Sequence, residues 1–247
     1  MAKLGIIAGS GATFFPQLAG ARVHSAASKW GHVDGGIAVW EEAGHQVLFL
    51  SRHGSAGNIP PHKVNYRANI WALNEFGAES VVALNAVGGI SRAMSPGTLV
   101  FPDQLIDYSW GREHTFHSGD APGIDLEFVD FTIPYSEVLR NNLIRAARDA
   151  GVPAQIKGTY GVTQGPRLET AAEIDRLERD GCDIVGMTGM PEAALARERG
   201  MHYASCSFVV NWAAGRSVEA IHDAMGTHLQ SGMLQSAAVL RALLKQL

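Results

Sequence analysis

Asn211 closes a strongly apolar run, Cys206-Ser207-Phe208-Val209-Val210, at the point where a strand delivers a polar side chain to a pocket. The following Trp212-Ala213-Ala214-Gly215 adds neither acid nor hydroxyl, so Asn211 meets its partner with a neutral amide that both donates and accepts. That chemistry suits the edge of a heterocycle. Three turns after strand-like runs offer a second chemistry, the holding of an anion. In Gly9-Ser10-Gly11 the glycines let backbone amides come close while Ser10 supplies a hydroxyl; Phe14 stands where a dinucleotide fingerprint needs its third glycine. Arg52-His53-Gly54 puts a guanidinium fork at a strand end, a geometry that matches phosphate. Gly186-Met187-Thr188 lets Thr188 offer hydroxyl and amide just ahead of a helix. Taken singly, each also reads as ordinary structure: a tight turn, a surface arginine beside a satisfied histidine, a helix start.

The elements that must position these groups follow from hydrophobic pattern. Apolar runs of strand length recur at Leu4–Ala8, Val47–Ser51, Ser80–Ala86, Thr98–Phe101, Ile156–Val162, Asp183–Met187 and His202–Val210. Helical spacing separates several of them. Tyr66, Ile70 and Leu73 mark one face of a helix stopped at Gly77, and Leu139, Leu143 and Ala146 mark another stopped at Gly151. Thr170 with Glu173 forms a capping box for a helix reaching Gly181, and Pro191-Glu192 fits a helical first turn. A last helix is expected from Ser217 towards Leu247. The alternation predicts an α/β fold, one domain over residues 1–247, with a central mixed twisted sheet flanked by helices. Asp103 to Pro134 is the least regular stretch, long enough for a functional loop or a subunit contact.

Bulk properties bound the partners. A chain of 247 residues with 46% apolar content buries a large core. Its net charge of −4 gives no electrostatic footprint for nucleic acid, and small soluble partners are favoured. Cys182 and Cys206 each sit in apolar segments, which fits buried free thiols in a reducing cytoplasm. The apolar start at Leu4 is too short for a signal peptide or membrane span.

The ordered segments Gly5-Ile6-Ile7-Ala8-Gly9-Ser10-Gly11, Arg52-His53-Gly54, Val64–Leu73, Gly165-Pro166-Arg167-Leu168-Glu169-Thr170 and Gly186–Glu192 resemble the purine nucleoside phosphorylase and methylthioadenosine phosphorylase family along nearly the whole chain. The resemblance implies phosphorolysis, in which inorganic phosphate attacks C1′ of a purine nucleoside. It implies phosphate ligands at Ser10, Arg52, His53, the Asn85-Ala86 turn and Thr188, with Met187 against the ribose and Leu168 on the purine face. Asn85 stands where the methylthioadenosine branch carries threonine. It further implies a homotrimer in which Phe128 reaches the neighbouring subunit's sugar site. Phosphate is then a co-substrate, and no cofactor or metal is expected. Anion-binding turns replace the carboxylate pair of glycoside hydrolases, so bound phosphate supplies both the charge beneath an oxocarbenium-like sugar and the nucleophile.

Asn211 and Glu169 are the expected catalytic and specificity pair. By resemblance, the 6-aminopurine branch has aspartates at the positions of Asn211 and Ala213. Asparagine alone can face a 6-oxo or a 6-amino group. Glu169 decides, because an ionised carboxylate only accepts, and N1 carries hydrogen in hypoxanthine but not in adenine. At the 5′ end, Val218 stands where inosine-type enzymes place a histidine, with Ile221 and His222 one turn on; an apolar wall suits a methylthio group. The combined expectation is a 5′-methylthioinosine substrate. Within the family the alternatives are phosphorolysis mainly of inosine and guanosine, or of 5′-methylthioadenosine; outside it they are a metal-dependent hydrolase using His114, His117 and Asp120, and a flavodoxin-like binding module without catalysis.

Overall fold

The computed structural model describes residues 1–9, 15–117, 128–218 and 221–247, with the side chains of 221–225 left undescribed. In chain order its strands and helices are β1 (Lys3–Ala8), β2 (Arg22–His24), β3 (Ala27–Ser28), β4 (Gly31–His32), β5 (Ile37–Glu42), β6 (His45–Ser51), α1 (Tyr66–Glu75), β7 (Ser80–Gly89), β8 (Leu99–Val100), β9 (Gln104–Asp107), α2 (Glu137–Asp149), β10 (Ala154–Gln155), β11 (Thr159–Val162), α3 (Ala171–Arg179), β12 (Ile184–Gly186), α4 (Gly189–Glu198), β13 (His202–Trp212) and α5 (Ile221–Leu244). The main sheet is mixed, with order β10-β8-β13-β7-β1-β6-β5-β2. Strand β7 is its spine: it pairs in parallel with β1 and β13, and its last residues pair antiparallel with β12. Strands β11 and β9 extend from β12.

Both faces of the sheet are covered, which explains why its strands read as continuous apolar runs. In β6, Val47 and Phe49 join one core cluster while Leu48 and Leu50 join the other. Helices α2 and α5 cover the first face; α1 and α4 cover the second. The helix ends follow local chemistry. Asn65 and Ser136 accept backbone N–H groups at the starts of α1 and α2, and Thr170 with Glu173 forms the reciprocal capping box of α3. Gly77 and Gly151 adopt φ of 89° and 66° just beyond α1 and α2, where a side chain would be strained.

Three boundaries differ from expectation for identifiable reasons. The run Ile156–Val162 divides, because Gly158 turns at φ 156° and gives its N–H to Asp103, leaving β11 to start at Thr159. Asn85-Ala86 is not a turn: β7 continues to Gly89, held by β13 on one side and crossed by β12 at its end. Helix α4 kinks at Met190, so its regular turns begin at Pro191, in agreement with the expected first turn at Pro191-Glu192. The last helix starts at Ile221 rather than Ser217. The irregular stretch from Asp103 does contain a strand, β9, which the sheet edge at β11 recruits. Both cysteines are buried free thiols, and none of the described helices is long and apolar enough to cross a membrane.

Candidate active site

The carboxyl ends of β1, β6, β7, β12 and β13 converge on one cavity of about 190 Å³, the place where open α/β sheets bind ligands. Gly9, Arg52 and His53, Ala86, Met187 and Thr188, Leu168 and Glu169, and Asn211 all line it. The residues expected to hold an anion and those expected to read a base therefore share one space. Local backbone makes room for them. A Cβ on Gly9 would lie 3.0 Å from Arg52 Nη1 and 3.3 Å from His53 Nε2, so glycine lets the chain pass beside both side chains. A register shift in β13 between Val209 and Asn211 turns Asn211 inward opposite Gly88.

Arg52 is buried and tightly held. Its Nε donates to Glu192 Oε1 at 2.5 Å, Nη2 to Glu192 Oε2 at 3.0 Å and Nη1 to the Leu84 carbonyl at 3.1 Å. Tyr203 donates its hydroxyl to the same carboxylate at 2.9 Å. Burial alone would lower the guanidinium pKa, but the charge and hydrogen bonds of Glu192 outweigh it, so the net direction is upward. Arg52 thus stays charged while Glu192 balances that charge. An anion in the cavity meets an oriented N–H fork and little net charge from the pair itself.

His53 is half-buried, with Nδ1 2.7 Å from the Ile59 carbonyl. A carbonyl only accepts, so Nδ1 carries the proton and the neutral ring presents Nε2 as a lone pair beside Gly9. Burial first, and then the neighbouring Arg52 charge, hold this imidazole below its usual pKa. Thr188 donates its hydroxyl to Asn85 Oδ1 at 3.0 Å, while Asn85 Nδ2 donates to Ser205 at 2.7 Å, and Ser205 contacts Ser207 at 2.8 Å. Asn85 is consequently a buried prop behind Thr188, outside the residues that line the cavity, which corrects its expected place among direct phosphate ligands. Ala86, one residue on, does line the space.

Glu169, also in the cavity lining, accepts from Thr163 Oγ1 at 2.5 Å. It precedes the Thr170 cap, so it lies outside helix α3 instead of complementing its dipole from within. Asn211 gives one Nδ2 hydrogen to the Trp212 carbonyl at 2.7 Å, which leaves Oδ1 and the second hydrogen to meet a ligand. Arg112 is buried over the Tyr66 ring. It donates to the carbonyls of Met187 at 2.8 Å and Met190 at 2.6 Å, and to those of Thr163 at 3.2 Å and Gln164 at 2.8 Å.

Several expected residues stand elsewhere. Val218 is fully exposed and does not line the cavity; Phe128, expected at a neighbouring subunit's site and not at this cavity, is exposed. Ser10 lies outside the described residues, as do the side chains of Ile221 and His222. Asp120 of the rival metal set is also outside them, and the described residues contain no group of three or more His, Cys, Asp or Glu placed to hold a metal. Two residues that sequence reasoning did not assign to the site are Glu192, read there only as a helix first-turn acid, and Arg112. Glu192 was legible as a lone acid among Met190, Pro191, Ala193, Ala194 and Leu195; Arg112 carried no comparable signal.

Fold and site together define a phosphorylase-type architecture, and the chain belongs to the phosphorylase superfamily, whose family model matches residues 3–245. Among its relatives, the "Probable S-methyl-5'-thioinosine phosphorylase" of Xylella fastidiosa is 55% identical over 86% of this chain and 85% of its own length. The protein of the same name from Pseudomonas syringae pv. tomato is 49% identical over 92% and 95%. The "6-oxopurine nucleoside phosphorylase" of Pyrococcus furiosus is 46% identical over 88% and 82%. Among solved structures, methylthioadenosine phosphorylase from Schistosoma mansoni in complex with tubercidin superposes with a TM-score of 0.91 at 30% identity, covering 100% of this chain and 92% of that one.

Proposed function

We propose that this chain is a purine nucleoside phosphorylase that cleaves S-methyl-5'-thioinosine with inorganic phosphate, giving hypoxanthine and 5-methylthioribose 1-phosphate. The observation that carries the reading is the meeting of two chemistries in one cavity, lined by Arg52, His53 and Thr188 as well as by Glu169 and Asn211. The names borne by the Xylella and Pseudomonas relatives support it. In this mechanism a phosphate oxygen forms a bond to C1′ as the C1′–N9 bond breaks, and the base leaves with that electron pair while N7 takes a proton from water. The remaining Asn211 N–H donates to O6 while its Oδ1 accepts from N7–H, and Glu169 accepts from N1–H. Adenine, whose N1 presents a lone pair, would face the carboxylate unfavourably. Met187 packs on the ribose and Leu168 on the purine face.

The preference for a methylthio group over a hydroxyl at the 5′ end rests on the names of the relatives, since Val218 is exposed outside the cavity lining and the side chains of Ile221 and His222 lie outside the described residues. The exposed Phe128 fits a homotrimer in which it covers the neighbour's sugar site, and the enzyme acts in cytoplasmic purine salvage without a metal or cofactor. Comparing kcat/KM for 5′-methylthioinosine, inosine and 5′-methylthioadenosine tests the assignment. The first should react fastest and the last least; preference for the adenosine compound would refute the base reading, and retained activity in a strong chelator is expected. A second reading, phosphorolysis mainly of inosine and guanosine, is favoured by the 6-oxopurine nucleoside phosphorylase names among the relatives and would appear as preference for inosine.

A further inference from the structure

Thr163 touches the cavity only through another residue. It belongs to the lining of a neighbouring surface cleft and is absent from that of the base cavity, whereas Glu169 borders both. Its hydroxyl donates to Glu169 Oε1 at 2.5 Å, with a longer contact of 3.3 Å to the Gly186 carbonyl. The Thr163 backbone is itself fixed, since its N–H donates to Gly186 at 2.8 Å and its carbonyl accepts from Arg112 at 3.2 Å. The same Arg112 also grips Met187 and Met190 beside the anion wall. A rigid chain therefore runs from the anion side through Arg112 and Thr163 to the carboxylate.

We infer that Thr163 is a positioning residue for base selectivity: by holding Oε1 from outside, it orients the Glu169 carboxylate so that Oε2 meets the purine N1 position. The inference rests on the proposed role of Glu169 at the base. Glu169 stands just ahead of α3 on a partly exposed segment, where an unrestrained carboxylate samples several rotamers. A floating carboxylate can turn away from an adenine lone pair or admit a water to bridge it, so the penalty against 6-aminopurines disappears. A pinned one cannot, and a lost hydrogen bond to a charged group costs enough to change a rate ratio by roughly tenfold or more.

The test compares the ratio of kcat/KM for 5′-methylthioinosine to that for 5′-methylthioadenosine in Thr163→Val, Thr163→Ser and Glu169→Gln, alongside melting temperatures. Valine keeps the shape and removes the donor; serine keeps the donor. The expected result is a ratio about tenfold lower or more in the valine variant, with the serine variant close to the parent. Equal losses in valine and serine would assign the effect to the methyl group's packing and overturn the inference. If Glu169→Gln alters the ratio and Thr163→Val does not, the positioning role fails while the base reading stands. If neither alters it, both fall.

Discussion

Replacing Glu192 by glutamine probes the charge balance on which the anion wall rests. Glu192 is fully buried and accepts three hydrogen bonds, two from Arg52 and one from Tyr203. Glutamine keeps the volume but removes the charge and turns an N–H₂ towards groups that themselves donate. Removing one member of a buried ion pair leaves the other uncompensated, at a cost of about 3–5 kcal/mol. For a chain of this size each kcal/mol lowers Tm by about 2–4 °C, so the variant should melt roughly 6–20 °C lower. Tyr203→Phe removes one donor to the carboxylate and leaves the ion pair, so it should lose less, about 1.5–3 kcal/mol. Inorganic phosphate supplies a sharper readout. In the parent, Glu192 already offsets the Arg52 charge; in Glu192→Gln that charge is free to attract the anion. Thermal melts with and without phosphate should therefore show a larger phosphate-induced rise in the variant than in the parent. A variant melting within about 2 °C of the parent, with the same phosphate increment, would mean that the pair carries no net stabilisation and would refute the reasoning.

Three further outcomes follow from the geometry. His53 has a lowered folded pKa, so between its folded and unfolded values the unfolded chain binds more protons. Its contribution to stability is full above about pH 6.5 and is lost as pH falls through the folded value. Denaturant melts at several pH values should show the parent losing stability relative to His53→Gln on acidification; a constant gap would contradict this. Asn211→Asp should move selectivity towards 6-aminopurines without completing the change, because Glu169 remains; an unaltered kcat/KM ratio would place Asn211 away from the base. In Gly89→Ala the new Cβ would fall 1.8 Å from the Met94 carbonyl oxygen, a clash with backbone that no rotamer relieves. The expected loss is about 3 kcal/mol or more in chemical denaturation, and near-parental stability would show that the crossing of β7 yields easily.

The α/β alternation was legible because each signal was local. Periodicity marked α1 and α2, Thr170 with Glu173 marked the start of α3, and runs buried on both faces marked β1, β6, β7 and β13. Boundaries failed where a partner at long range overrode the local pattern. Asn85-Ala86 reads as the end of a run, yet pairing with β13 and β12 carries β7 three residues further. Nothing in residues 85–89 alone encodes that pairing.

Sequence by itself determined the chemical alphabet of the candidate site: a neutral amide at Asn211, a carboxylate at Glu169, and a guanidinium, an imidazole and a hydroxyl at Arg52, His53 and Thr188. Side-chain chemistry is intrinsic, so residue type and order sufficed. Tertiary structure alone decided which groups face the cavity and which serve behind it. Asn85 became the prop of Thr188, Glu192 the counter-charge of Arg52 across 140 positions of chain, and Thr163 the holder of Glu169. The physical reason is that burial makes partnership obligatory: a polar group removed from water must find its complement, and only the packed sheet sets who stands within reach.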